Sequence, residues 1–545
     1  MKANRLLYVL MLVMSALACS SPRVPADGGS DSPTGPAPTL AKLEVTSSAT
    51  PSLTLVPPFA PDVYDYYVRC VAGTNSLSVS MTASSGAVCS LTQPTASTAS
   101  PASEQTLSVS VQESQAIVAA ATAGARTTEY WVRCLPADFP PMRMTAHPEA
   151  GTAPPGYYLM GNNWQPTSSY GGYAIVLNGK GVPVWYAHGI SRPGAAEKWV
   201  AWDVDHLSPG TISYYAPYGS PVEIHQLSPL LTTYATPSGI DRDSHELRLL
   251  PNGHYLVISA PVQRVDLTGL KVPLPDGGVE TFGPKSYIDG CNVAEFDPKT
   301  GAIVWTWVAL EHLDAVQDST APEVNPNSRP NQPVAETFHC NSIDVDEATG
   351  NILLSARNMN SVFYIERPSG KILWKIGGAK YTKDGATYVP VNDAFYGQHD
   401  ARFLPGWSST CAGGCGQISL FDDHSNEPGP ARGVVLDVVV GTTDGGSSAD
   451  CGTGGRGTPG ATVAWQYEGK TSSIGEGSFR ILADGSRVIG WGKTSTTGLV
   501  FTEVDDKKAA LLDFSYTDGD GSYRVIKVPL TTFNLNVLRR TAGLL

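Results

Sequence analysis

Three histidines stand at matching places in successive, similar stretches of the chain: His245 in DSHELRLLPNG, His339 in FHCNSIDVD and His399 in GQHDARFLPG. Asn341 follows His339 by two residues, and Arg357 ends the apolar run ILLSAR. Imidazole can serve as nucleophile, acid or base, guanidinium offers a planar fork to two oxygens, and a carboxamide adds an N–H donor. An arginine that closes an apolar strand is costly unless it meets an anion. Together the five residues match a small oxyanion such as a sulfuryl or phosphoryl group. A second reading makes them polar groups satisfied at the axis of the fold, and a third makes the histidines a metal site. Arg357 counts against the metal, since a cation held by neutral imidazoles gains nothing from a neighbouring guanidinium. No metal and no cofactor is therefore expected.

The elements that must bring these residues together are repeats. Beyond Pro140 a unit recurs in two halves. The first half is a strand ending in a turn, as in HELRLLPNGHYLVIS, NSIDVDEATGNILLSAR and SFRILADGSRVIGWG. The second is a strand, a Gly turn and a strand ending in an aromatic residue, as in AIVLNGKGVPVWY, VAEFDPKTGAIVWTW and VFYIERPSGKILWKIG. Four-strand units of this kind cannot bury their faces alone and suit the blades of a β-propeller. Counting halves gives about six blades, with SYRVIKVPL available to close the ring against the first. Residues at matching starts of blades three, four and five then converge on the mouth of a central funnel.

Ahead of this region, residues 41–137 show short alternating runs such as LEVTS, SLSVSMT and EYWVRC, the pattern of an all-β sandwich. The expected fold is all-β throughout, a sandwich followed by a propeller over residues 138–545. The 55 Gly and 42 Pro among 545 residues agree with many short strands joined by tight turns. A formal charge of -13 argues against an electrostatic nucleic-acid binder.

Lys2 and Arg5 precede an apolar stretch from Leu6 to Leu17 that stops at Ala18-Cys19, the layout of a bacterial secretory signal over residues 1–18. The run Ser15-Ala16-Leu17-Ala18-Cys19 resembles a lipobox, in which Cys19 is acylated, and residues 19–40 read as a Ser/Pro/Gly-rich tether. An ordinary cleavage site that happens to precede a cysteine is the alternative. Either way export to the cell envelope is expected, with a lipid anchor to the membrane on the first reading. Cys70, Cys89, Cys134, Cys291, Cys340, Cys411, Cys415 and Cys451 are then more readily bridged than metal-binding, in pairings the sequence leaves open. Asp344, Asp346 and Gly350, and Asp518, Asp520 and Gly521, suggest fragments of calcium loops but lack the full spacing and read as strand turns.

The stretch FHCNSIDVDEATGNILLSARNMNSVFYIERPSGKILWKIGG, with YGQHDARFLPG and ISLFDDHSN after it, resembles the nucleotide-independent arylsulfotransferases. The order H-x-N-S, S-x-R, G-x-I-x-W-x-x-G-G and Q-H-D falls within about sixty residues, and the likeness runs over roughly residues 155 to 530. Cys340 stands inside the H-x-N motif where an apolar residue is usual. The resemblance implies a six-bladed propeller that moves a sulfuryl group from an aryl sulfate to a phenol. It implies that His399 becomes a sulfohistidine, and that His245, His339, Asn341 and Arg357 bind sulfuryl oxygens or move the phenolic proton. The sandwich similarly resembles the cadherin-like bacterial domain, through LAKLEVTS, LVPPFAPDVYDYYVRCV and TTEYWVRCL. A non-catalytic envelope lipoprotein with a scaffolding propeller, and a quinone-cofactor dehydrogenase, are the competing functions.

Overall fold

The computed structural model describes residues 36–544 except 49–52, 96–98, 163–169, 190–200, 216–221, 228–231, 235–239, 241, 326–328, 330–331, 410–413, 442–458 and 495–497. The expected signal, the acylated Cys19, Cys411 and Cys451 lie outside the described residues. The fold is all-β, as its patterning requires, with a single longer helix, Leu535–Thr541, near the C-terminus of the described residues.

Leu40–Thr46, Thr74–Ala83 and Glu104–Gln112 form one N-terminal sheet, and Asp65–Arg69, Arg126–Leu135, Ala116–Ala123 and Val88–Gln93 form another. Alternation decides which faces meet: Leu77, Val79 and Met81 turn inward from the first sheet, against Ile117, Ala119, Tyr130 and Val132 of the second. Cys70 and Cys134 are bridged across this core, while Cys89 is buried and free.

Six sheets of four or five strands follow among the described residues in a ring, with two further sheets inserted beside them. The innermost strands of the six are Val525–Val528, Trp202–Asp205, Arg242–Leu249, Cys340–Val345, His399–Phe403 and Ser478–Ile481. Each of these touches the next, and Ser478–Ile481 returns to Val525–Val528, so the inner strands close a ring. Closure is covalently out of order. Val525–Val528, from the end of the chain, pairs with Tyr157–Gly161 of the earliest of these sheets. Met142–Ala146, from the start of this region, pairs with Ala510–Tyr516 of the last. Both ends of the region are thereby locked into sheets contributed by the opposite end of the chain.

The aromatic residues that end strands pack where neighbouring sheets meet. Trp185 and Trp374 are wholly buried, Trp374 meets Trp407 of the next sheet's first turn at 5.8 Å between centroids, and Trp465 stacks on Phe479 of the next sheet at 5.3 Å. Asp346 serves its turn as expected, its carboxylate accepting from the Ala348 N–H at 3.0 Å and its carbonyl from the Gly350 N–H at 2.7 Å, with Gly350 at φ +75°.

One addition has no counterpart in the repeat. Val262–Val265 and Ser286–Asp289, inserted between the second and third strands of the third sheet, join Val334–Glu336 and Glu323–Asn325, from the connection to the fourth sheet, in a separate four-stranded sheet. It delivers two carboxylates, Glu323 and Glu336, to the mouth of the ring.

Candidate active site

The three histidines converge. The His245 and His339 rings lie 5.1 Å apart and the His339 and His399 rings 6.5 Å apart, centroid to centroid, although the residues span more than a hundred and fifty positions of sequence. Inner strands that start side by side bring them there, and a local irregularity sharpens the aim. His339 and Asp400 have φ of +51° and +57°, each beside a break in strand register, so the chain bends where the side chains must turn into the mouth.

Arg357 opens a short turn, Arg357–Met359, after the strand Ile352–Ala356 and is tied back by its backbone N–H to the His339 carbonyl at 2.9 Å. Its guanidinium meets Glu323 Oε1 at 2.9 Å, Asn358 Oδ1 at 2.7 Å and the Ile474 carbonyl at 3.1 Å. Asn341 is wholly buried, and its Nδ2 donates to the Gln398 carbonyl at 2.8 Å, the residue before His399. That amide holds the strand carrying His399 from behind.

Each histidine has a carboxylate at Nδ1. Asp243 hydrogen-bonds His245, Glu336 lies 2.9 Å from His339, and Asp423 lies 2.7 Å from His399. The pairs behave differently. Burial alone would raise the Glu336 carboxyl, but the charge and hydrogen bond of His339, helped by Arg357 and His245, hold it at about 2. Burial correspondingly lowers His339, and the Glu336 charge overcomes it, leaving His339 raised above the ordinary imidazole value. At His399 burial prevails: with the positive charges of Arg357, His339 and His245 it pushes the imidazole well below its ordinary value. Burial also pushes the Asp423 carboxyl up. The two neighbouring imidazoles are thus pushed in opposite directions, the separation that acid and nucleophile need.

Comparison with known proteins identifies the family. A family model described as arylsulfotransferase (ASST) matches residues 223–512. The chain belongs to the arylsulfotransferase (ASST) family. No curated protein matches it significantly. Solved structures that resemble it include a quinoprotein alcohol dehydrogenase-like protein from Bacteroides thetaiotaomicron, at 9% identity and a TM-score of 0.30, covering 87% of this chain and 98% of that one. Apo AztD from Citrobacter koseri resembles it at 7% identity and a TM-score of 0.29, covering 69% and 98%. Hsv2 from Kluyveromyces lactis does so at 10% identity and 0.29, covering 74% and 95%.

The floor of this arylsulfotransferase-family site is a buried ion network that sequence reasoning did not anticipate. Arg524 meets Asp203 at 2.6 Å and Glu246 at 3.0 Å; Arg402 meets Glu246 at 2.6 Å and Asp400 at 2.7 Å; Arg480 meets Asp400 at 2.7 Å. Three carboxylates thus face three guanidiniums, which is how charge is tolerated at the centre of a ring. Burial would raise Asp400, but Arg480, Arg402 and Arg524 hold it far below the usual range, whereas burial lifts Asp203 to about 7 despite Arg524. Arg524 also donates to the Asn341 carbonyl at 2.5 Å, joining this floor to the site. The residues that carry it are visible in the motif HDARF, where Asp400 and Arg402 directly follow His399, but nothing in their spacing names their partners.

Among the described residues, the one group of three potential ligand side chains close enough to share a metal ion is Glu323, Glu336 and His339. Arg357 already occupies Glu323, and His339 occupies Glu336, so the donor set is committed to a fixed positive charge. The three histidines form no such group.

Proposed function

We propose that this chain moves a sulfuryl group from an aryl sulfate to a phenolic acceptor, with His399 carrying the group between them as a sulfohistidine. The reading is carried by the convergence of the three imidazoles, His339 5.1 Å from His245 and 6.5 Å from His399 ring to ring, with His399 pushed below and His339 raised above the ordinary imidazole value. In the first half-reaction the lone pair of His399 attacks sulfur in line, an N–S bond forms, and the S–O bond to the aryl group breaks. The bonding pair leaves with the aryl oxygen, which takes the proton of His339. In the second half, a phenol gives its proton to the now neutral His339, its oxygen attacks sulfur, and the N–S bond returns its pair to His399. Arg357 and His245 bind the sulfuryl oxygens, and Asn341 acts through the Gln398 carbonyl to hold the nucleophile's strand. No metal, nucleotide or other cofactor enters this cycle.

The six sheets are read as the six blades of a propeller over residues 138–545, and residues 41–137 as a cadherin-like supporting sandwich. Export and acylation at Cys19 would place the enzyme at the cell envelope, where its bridged cysteines Cys291 and Cys340 suit an oxidising compartment. No helix among the described residues is long and apolar enough to cross a membrane.

Intact-mass measurement after incubation with an aryl sulfate tests the reading. One sulfuryl group is expected on the wild-type chain, localised to His399 by peptide mapping, and none on His399→Ala. Failure of the wild type to label with a panel of aryl sulfates overturns it.

A further inference from the structure

His399 Nδ1 faces two oxygens, Asp423 Oδ2 at 2.7 Å and the Gly397 carbonyl at 3.0 Å. A carbonyl oxygen only accepts, so a ring nitrogen at that distance must bear the hydrogen. On the far side of the ring, Nε2 faces the backbone N–H of Glu476 at 3.3 Å, and an N–H only donates. The two contacts agree independently: the proton sits on Nδ1 and the lone pair on Nε2. Both His399 and Asp423 are wholly buried, so no water competes to relax this choice. Asp423 is itself fixed from the connection leading into the next sheet, its carbonyl accepting from the Ser473 N–H at 2.9 Å.

We propose that Asp423 is the positioning residue of the nucleophile: with the Gly397 carbonyl it locks the His399 tautomer and ring plane so that Nε2 presents its lone pair to sulfur. Its second task comes after attack. Once Nε2 carries the sulfuryl group while Nδ1 keeps its hydrogen, the ring is cationic, and the Asp423 carboxylate balances that charge until Nε2 regains its pair from the breaking N–S bond. The Glu476 N–H gives up Nε2 at the same moment, since the lone pair it met becomes the new bond. This inference rests on His399 as the sulfuryl carrier for its catalytic consequence, but the tautomer stands apart from it.

Two measurements test it, and they fail separately from the proposed function. Nitrogen NMR of histidine-labelled wild-type protein should find His399, assigned by loss of its signal in His399→Gln, with Nδ1 protonated and Nε2 bare. The opposite tautomer overturns the inference whether or not any substrate reacts. Asp423→Asn preserves volume and contacts but can offer its amide N–H to Nδ1, forcing the hydrogen to Nε2, so sulfohistidine formation should fall on the order of 100-fold to 10,000-fold in kcat with little change in KM. Wild-type labelling together with an unimpaired Asp423→Asn variant would sink the role of Asp423 while leaving His399 as the nucleophile.

Discussion

Glu336 sits three residues before His339 with its carboxylate 2.9 Å from Nδ1, and each holds the other in the charged form. The consequence is a pH window. The donor half-reaction needs His339 protonated and His399 neutral. His399 is depressed and His339 raised relative to 6.5, so both conditions hold on either side of 6.5, and the rate falls only as pH rises through the elevated His339 value or drops below the depressed His399 value. Stability follows the same sign. The His339 contribution is fully present below the unfolded value near 6.5 and is lost as pH climbs through the folded one. Replacing Glu336 by Gln removes the charge that raises His339, so the alkaline limb of aryl sulfate turnover should move to lower pH. An unmoved limb in a pH–rate profile would show that another group supplies the proton.

If His339 protonates the departing oxygen, its value depends on how badly that oxygen needs a proton. His339→Gln should slow transfer from sulfates of weakly acidic phenols by about 100-fold to 10,000-fold, the usual worth of a general acid, and slow nitrophenyl sulfates far less. Plotting the loss against leaving-group acidity distinguishes this from a binding role, which would cost every donor alike. Phenol release under single-turnover conditions is the measurement, because product release cannot mask it.

How far the site was readable from the chain depends on what kind of relation each residue has. His245, His339 and His399 could be joined because they repeat at equivalent starts, and equivalence in a ring of sheets means proximity. Closure by the strand at Val525 was readable for the same reason. The carboxylate partners were not. Glu323 and Glu336 come from a sheet inserted outside the repeat, and Asp423 lies just past the second strand of its sheet, so no period links them to the guanidinium and imidazoles they serve. Arg357 was expected to meet an anion at the end of its strand, and does, but the anion present is the protein's own Glu323. Cysteine pairing was equally illegible, because Cys291 precedes the third strand of one sheet and Cys340 opens the innermost strand of the next.

Arg524 should be among the most sensitive positions for stability. It is fully buried, bridges Asp203 and Glu246, and supports the Asn341 carbonyl. Arg524→Met keeps much of the volume but leaves buried carboxylates short of a counter-charge, a loss of about 3–5 kcal/mol. The deficit has a pH signature. Asp203 already lies at about 7, and without Arg524 it rises further, so the gap between variant and wild type should widen as pH passes upward through about 7. Denaturant unfolding at a series of pH values reads this directly. A deficit that is constant or shrinks with pH would show that Asp203 is not the group left exposed to the loss.

The bridge between Cys291 and Cys340 should matter to chemistry as well as to stability. Cys340 lies between His339 and Asn341, so the bridge fastens the peptide that aims one of these side chains into the site and the other behind it to a loop of the preceding sheet. Closing a separation of 49 residues, it should contribute about 2–4 kcal/mol, an amount comparable to the Cys70–Cys134 bridge with its separation of 64. The two differ in what they hold, since Cys70 and Cys134 lie in the core of the N-terminal sandwich. The paired variant Cys291→Ala with Cys340→Ala should therefore lose both thermal stability and the rate of sulfuryl uptake by His399. The variant Cys70→Ala with Cys134→Ala should lose stability alone. Equal effects on uptake from both variants, measured well below their unfolding temperatures, would show that the bridge beside His339 acts only on the fold.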